Sequence, residues 1–324
     1  MLLNLIARID AKRTPIQSIA PKAKENLSNM LVEWQNDNFE EPAQDMAWPD
    51  GKDVESFSNA SPDRGMVRTY GMKILDSAMV SDLAEEVSDV AGLSKGELAE
   101  SVMKKLKRLS RAIECFMASD LDTQAQAGDT PYRSRGLGSW INNSAQAALP
   151  VPTAYRTPAL SINTTAVASL TETHVNDVLQ SMWEQSGETE DLQLVAGATL
   201  RRQFTSFGTR VTAATGAPVV RSYTTAFTGK LDNVVTAYNG DFGQVNIIPT
   251  HYNAHPSFDG TSTINPLRGY LFPTSALCMA IKRMPRVKKL EDRGGGERFL
   301  VDWVGAWWVK NALSCGAFKA TAAS

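Results

Sequence analysis

Histidine and cysteine, which build most metal centres and thiol active sites, are scarce, with three of each in 324 residues. Cys115, Cys278 and Cys315 lie far apart with no CxxC pair. That excludes a disulfide framework or structural zinc site and suits a reducing compartment. His251 and His255 are four apart, but Tyr252, Asn253 and Pro256 favour a loop and no glutamate follows His251 to complete HExxH. His174 falls in a separate helix. There is no GxSxG nucleophile elbow. Gly136-Leu137-Gly138 lacks a third glycine, Gly229-Lys230 lacks the rest of a phosphate loop, and Gly294-Gly295-Gly296 reads as a turn. Excess positive charge is missing too: 33 Lys and Arg against 35 Asp and Glu leave a net charge of −2. Nucleic-acid affinity driven by overall basicity is therefore excluded. The opening MLLNLIARIDAKRTP is too short to span a membrane and has no basic segment ahead of its apolar run, as a secretory signal would. The expectation is a soluble intracellular product, in which the glycosylation patterns at Asn26, Asn142 and Asn163 are idle. The chain shows no internal repeat and no low-complexity tract.

What is present is a long helix. Over residues 94–117, Leu98, Val102, Leu106 (or Met103), Leu109, Ile113 and Phe116 recur at three- and four-residue steps, which puts them on one face. Ser94 with Glu97 forms a capping box. Glu97 and Glu100 come early and Lys107, Arg108 and Arg111 late, so the charges follow the helix dipole. The basic set Lys104, Lys105, Lys107, Arg108 and Arg111 reads as the solvated face of this helix, or as cations that meet carboxylates of another subunit. The rod carries none of the residues that catalysis usually needs.

Residues 1–35 read as an arm, with Pro15 and Pro21 preventing a long helix and 25–34 open between helix and strand. Residues 36–64 are acidic, polar and poor in aliphatic side chains, so burial offsets little of their ordering entropy. They order on a neighbour or not at all. Residues 66–73, continued by 74–80, alternate as a strand, giving a long hairpin-like loop with a polar tip. Residues 81–90 form a short acidic helical piece. The Gly- and Pro-rich stretch 119–157 reads as a surface loop that contacts something. Residues 171–185 form a second amphipathic helix, with Val175, Val178, Leu179, Met182 and Trp183 on one side. A buried strand over 192–196 and a helix over 198–207 suggest an α/β or α+β subdomain. Residues 225–253 are strand territory with a hairpin turn at Asn239-Gly240, and 270–281 is strand-like. Residues 298–310 form a strand with apolar residues on both faces, Asp302 excepted, hence protein on both sides.

The order of these parts resembles the major capsid proteins of tailed bacteriophages with the Hong Kong 97-type fold. The likeness rests on Thr14-Pro15 with Ser18 and Ile19, on Glu33-Trp34-Gln35 with Asp37, and on the run Arg135 to Ile141 (RGLGSWI). It rests also on Tyr238 to Gly243 (YNGDFG) with Val245, Ile247, Ile248 and Pro249. The resemblance implies an α+β capsid fold: an arm (1–35), an extended loop (36–81), a peripheral domain with its spine helix at 94–118 (82–160 and 283–312), and an axial domain (161–282 and 313–324). It implies a structural protein of the virion, assembled in the host cytoplasm as pentamers and hexamers into an icosahedral shell around double-stranded DNA, and not an enzyme. Neither cofactor nor metal is implied. Scaffolding, portal and decoration proteins would be separate chains, DNA would be touched non-specifically, and no membrane is involved. On this reading the contacts between subunits involve Trp34, Asp37, Glu40, Glu41, Lys104, Lys105, Arg108, Arg111 and Trp140. The spine's apolar stripe packs on the terminal strand around 299–308. The alternatives are a metal-dependent hydrolase using His251, His255 and Asp241, a nucleic-acid module using the 104–111 face, and a nanocompartment shell of the same fold.

Overall fold

The computed structural model describes residues 13–21, 27–37, 46–53, 57, 64–83, 96–207, 209–211, 218–220, 237–253, 267–291 and 294–319. The N-terminal half contains α1 (Pro15–Ile19), β1 (Leu31–Asn36), β2 (Gly65–Tyr70), β3 (Met72–Val80), the long α2 (Gly96–Met117) and a single turn, α3 (Leu137–Trp140). Next come β4 (Ile162–Asn163), α4 (Glu172–Ser186), β5 (Leu192–Ala196), α5 (Ala198–Phe207), and the short pair β6 (Thr209–Val211) and β7 (Pro218–Val220). The chain continues through β8 (Ala237–Gly240), β9 (Gly243–Pro249), β10 (Arg268–Pro273), β11 (Leu277–Lys289), β12 (Glu297–Val309) and β13 (Gly316–Lys319).

One sheet has the order β11-β12-β3, all antiparallel. β12 is its middle strand, and nearly every side chain from Phe299 to Val309 is buried. Two-sided burial explains why apolar residues fall on both faces of this strand. Phe299, Val301 and Trp303, with Ile74 and Ala78 of β3, share a core with Leu109, Ile113 and Met117 of α2. Leu98, Val102 and Leu106 pack on its margin while Met103 is 38% exposed, so Leu106 is the stripe residue. Ser94, the expected cap, lies outside the described residues. Asp302 points to the opposite face, where Arg283 (2.6 Å) and Arg286 (2.7 Å) of β11 cover it. β11 slips register on either side of Arg283, and Pro285, which has no N–H for a ladder, lies within the second slip. Trp303 and Trp307 stack at 6.2 Å, with Gly305 between them. A Cβ on Gly305 would lie 2.4 Å from the Trp303 ring and 2.8 Å from the Ala280 carbonyl, so only glycine fits.

Residues 66–80 are not one strand. Gly71 separates β2, which pairs with β1 as a two-stranded ribbon, from β3, which belongs to the three-stranded sheet. Of the undecided stretch 25–34, residues 31–34 belong to strand β1. Likewise 270–281 divides at residues 274–276 into β10 and β11, which serve different sheets.

The second sheet is mixed, with the order β4-β13-β10-β5-β9-β8. Leu192, Leu194 and Ala196 face α4 and α5, meeting Val175, Val178, Leu179, Met182, Leu200 and Phe204. Val195, Tyr270 and Ala317 face the other way and join the core under α2. The α4 cap is Thr171 with His174, whose Nδ1 accepts the Thr171 N–H at 3.1 Å, and Gly187 closes the helix in the left-handed region. Trp183 is not in the core: it is 50% exposed and leans on Phe242. The β8–β9 turn is Asp241-Phe242, two residues beyond the expected Asn239-Gly240. Asn239 pairs with Gln244 inside the ladder, and Gly243 at φ 150° supplies the backbone freedom of the turn.

The stretch 119–157 is a surface loop only in part: residues 125–129, 131 and 143–145 are exposed, and much of the rest is not. Ser119, Thr123, Ser134, Arg135, Leu137, Trp140, Ile141, Val151, Tyr155 and Thr157 are all buried. Beyond the short bridges Gln124↔Arg133 and Ala127↔Thr130, the fully buried Arg135 supplies bonds across the stretch. It donates to Asp122 (2.8 Å) and to the carbonyls of Ala148 (2.5 Å) and Leu149 (2.9 Å), and its guanidinium covers the Trp140 ring at 4.6 Å. The Trp307 indole N–H donates to the Arg135 carbonyl at 2.8 Å, tying the stretch to β12.

Candidate assembly interface

A subunit that joins others through extended segments must fix the bases of those segments and leave their far parts unpaired. The β1–β2 ribbon is such a base. Trp34 on β1 sits 5.6 Å from Trp140 and 6.0 Å from Trp308, and its indole N–H donates to the Lys310 carbonyl at 3.3 Å. Asn36 reaches the same carbonyl at 3.0 Å. Asp37 pairs with Arg64 at 2.9 Å and Glu33 with Arg68 at 3.3 Å across the ribbon. Both pairs are exposed, so they set register more than stability. Trp140, expected at a subunit contact, is 1% exposed and belongs to the core of its own chain. It is inside because Arg135 satisfies the carbonyls around it, which lets a Gly-rich stretch be buried. Glu40, Glu41 and His255 lie outside the described residues.

The far part of the loop shows a compact turn at 46–53. The Trp48 indole N–H donates to the Lys52 carbonyl at 2.7 Å, and the Lys52 ammonium lies 5.1 Å from the Trp48 ring. Met46 (74%), Trp48 (50%) and Phe57 (90%) are exposed. Asp50 and Asp53 are exposed and have no ion partner among the described residues.

On the spine, Lys105 turns inward to Asp76 of β3 at 3.0 Å, and the exposed Arg108 reaches the same carboxylate at 3.6 Å. Two of the cations expected to meet a neighbour thus first clamp α2 to its own sheet. Lys104 and Lys107 are exposed, and Arg111 is half-buried.

The residue that sequence reasoning missed is Glu114. It is fully buried on α2, and its carboxylate accepts the N–H groups of Ile16 (2.7 Å) and Gln17 (3.1 Å), satisfying the first turn of α1. Gln17 also donates to the Ser110 carbonyl at 2.5 Å. The arm is therefore latched to the spine by a carboxylate. Burial pushes Glu114 up to about 7 against the opposing pull of those N–H donors. An acid near the C-terminal end of an apolar stripe, against the helix dipole, was the available signal.

Other buried groups have structural partners. Burial draws the Lys319 ammonium down to about 8, with Arg268 adding to the effect, and it donates to the Gly138 carbonyl at 2.7 Å. Burial pushes the Cys315 thiol up to about 12, which makes it inert. The Arg286 hydrogen bond, ahead of Arg283, holds Asp302 below its usual range. His251 is exposed just past β9, and no group of acidic, His and Cys side chains among the described residues could hold a metal ion. No helix of the described residues is long and apolar enough to cross a membrane.

The family model for the SU10 major capsid protein matches residues 1–322. The chain belongs to that family. The hydrolase alternative is thereby left without support. Its fold is that of phage capsid shells. The cyanophage A-1(L) capsid subunit aligns with a TM-score of 0.65 at 11% identity, covering 98% of this chain and 95% of that one. The capsid of a native GTA particle gives 0.60 at 12% identity, covering 98% and 93%. The capsid of Myoviridae phage XM1 gives 0.56 at 13%, covering 99% and 96%. No curated protein matches the sequence. This major capsid protein is a subunit of the virion shell, with a Hong Kong 97-type fold.

Proposed function

We infer that this major capsid protein closes into an icosahedral shell of pentamers and hexamers that holds double-stranded DNA, without catalysing a reaction. The carrying observation is a family match along nearly the whole chain, joined to a ribbon whose base is fixed on its own chain by Trp34 and Asn36. The three-stranded sheet with α2 acts as the peripheral domain, and the six-stranded sheet with α4 and α5 as the axial domain. The chain passes between them before β4, at 274–276 and near 310–315. Segment 37–64 is the extended loop and lies across an adjacent copy. A net charge of −2 suits a lining that lets duplex DNA slide during packaging. Scaffolding, portal and decoration functions fall to other chains.

Electron microscopy of the expressed protein tests this. Closed shells with five- and six-fold capsomers support the reading, and particles from infected cells should protect DNA from nuclease. A preparation that stays monomeric under all assembly conditions removes it. Closed shells that enclose protein cargo and no DNA would replace it with a nanocompartment.

A further inference from the structure

The run Arg135 to Gly138 (RGLG) contains two glycines whose missing side chains are used. The Gly136 N–H donates to the Leu121 carbonyl at 2.9 Å and the Gly138 N–H to the Ser119 carbonyl at 3.0 Å, so the run lies in contact with the chain that leaves the spine. A Cβ on Gly136 would overlap the Ser119 carbonyl. One on Gly138 would overlap the Asp120 carboxylate and lie 2.7 Å from the Tyr270 hydroxyl. The space left by Gly138 lets Asp120 reach the six-stranded sheet. There the Tyr270 hydroxyl donates to it at 3.0 Å, and Arg268 pairs with it. Lys319, opposite Arg268 in the β10–β13 ladder, donates back to the Gly138 carbonyl at 2.7 Å. Asn253, which is buried, holds the start of β10 by donating to the Arg268 carbonyl at 2.9 Å.

The place of this brace in the fold gives it leverage. Among the described elements, the chain passes between the two sheets before β4, after β10 and before β13. Leu271 pairs with Gly316, and Ala317 runs parallel beside Ile162, so all three crossings lie at one end of these strands. That end is stapled by the Lys310 N–H, which donates to the Ala276 carbonyl at 2.7 Å, and by the Thr157 hydroxyl, which donates to the Ala312 carbonyl at 2.9 Å. Arg268 and Lys319 stand at the other end. At ~3.3 Å per residue the strand from Arg268 to Pro273 is roughly 15 Å long, so a slip of about 1 Å at the brace turns one sheet by about 4° against the other. The apolar contact between the sheets, which includes Leu137, Tyr270 and Ala317, is non-directional. Charge-assisted hydrogen bonds fix a direction as well as a distance.

We propose that Asp120, admitted by Gly138, is a positioning residue that fixes the angle between the two sheets and, through it, the curvature of the shell. The proposal rests on the shell reading, in which the two sheets belong to domains that touch different neighbours. Their angle is then passed on to the angle between capsomers.

The test uses full-length chains. Asp120→Asn, Arg268→Met and Gly138→Ala should each leave a folded subunit, read by circular dichroism, and spread the particle diameter, read by microscopy. The share of shells at the wild-type diameter should fall about tenfold, the weight of one charge-assisted hydrogen bond. Gly305→Ala, which disturbs the three-stranded sheet away from the brace, should lower the yield while the shells that form keep one diameter. Wild-type diameters in D120N and R268M would overturn the proposal. So would a Gly305→Ala population as broad as theirs, because diameter would then follow stability alone. A second measurement needs no shells. Spin labels at K107C and D177C, two exposed positions on α2 and α4, should give one narrow distance in the unassembled chain, since Cys115, Cys278 and Cys315 are buried. D120N or R268M should widen that distribution roughly twofold. An unchanged width would overturn the brace. Widths as expected, with no shells from the unaltered chain, would count against the shell reading and leave the brace standing.

Discussion

Glu114 and Arg135 bring charge into the interior, and each holds a segment that lacks a ladder of its own. For Glu114 the pH dependence has a definite sign. Its ordinary value is 4.5 and burial in the folded chain raises it to about 7, so the folded state binds the extra proton in that window. Stability should fall as pH rises from about 4.5 to 7 and level off above, a change on the order of 3 kcal/mol. Urea titrations across that range check it, and Glu114→Gln should flatten the slope. Glu114→Ala leaves the Ile16 and Gln17 N–H groups without their acceptor. It should cost about 1–3 kcal/mol and expose the arm to protease, read by the rate of cleavage within 1–20. Arg135→Met removes the partner of Asp122 and of two carbonyls at once. A loss of about 3–5 kcal/mol, large enough to abolish soluble protein at 37 °C, is expected from expression and melting experiments.

At the scale of elements, the spine and β12 depend on tight apolar contact. L106D/L109D places carboxylates against the Phe299–Val301–Trp303 face and should eliminate soluble, assembly-competent subunit. A normal particle yield would show that the stripe is not buried. Gly305→Ala drives a Cβ into the Trp303 ring. It should destabilise by about 1–3 kcal/mol and alter the near-ultraviolet signal of the stacked Trp303–Trp307 pair. These same elements show what was legible in the sequence. The spine, α4, β5 and the two-faced β12 could be read because each has a periodicity that its own burial imposes. The 119–157 stretch could not, because its order comes from side chains such as Arg135, Asp122 and Gln146 bonding to backbone groups of other parts of the stretch. Glycine and proline at 128–158 look alike in a solvated loop and in a segment organised by Arg135. Residues 270–281 look like one strand because the turn at 274–276 is flanked by apolar residues that enter two different sheets. Of the residues expected at subunit contacts, Trp34 and Asp37 lie at the ribbon base, where the partners described for them belong to the same chain. Glu114 was missed because a lone acid among apolar residues does not announce its partner.

For the whole molecule, the loop and the fold should be separable. The ribbon is held by Trp34, Asn36 and Lys310, all outside 38–63. Replacing 38–63 with a short Gly-Ser linker should therefore leave a folded subunit with an unchanged melting temperature. Assembly should be lost, seen as sedimentation at the subunit position without shells. Shells of normal yield from that variant would remove the loop from the assembly mechanism.

The three-stranded sheet also sets a schedule for synthesis. β12 is the strand between β11 and β3, and its partner Met72↔Gly305 joins residues more than two hundred positions apart. β3, α2 and the ribbon emerge from the ribosome well before the strand that covers them, and they wait for it. Lys310, which holds the ribbon through its carbonyl, comes later still. A nascent chain therefore cannot present a fixed loop base until Lys310 has been made. Chains cut short before that residue are screened out of the shell by folding order alone.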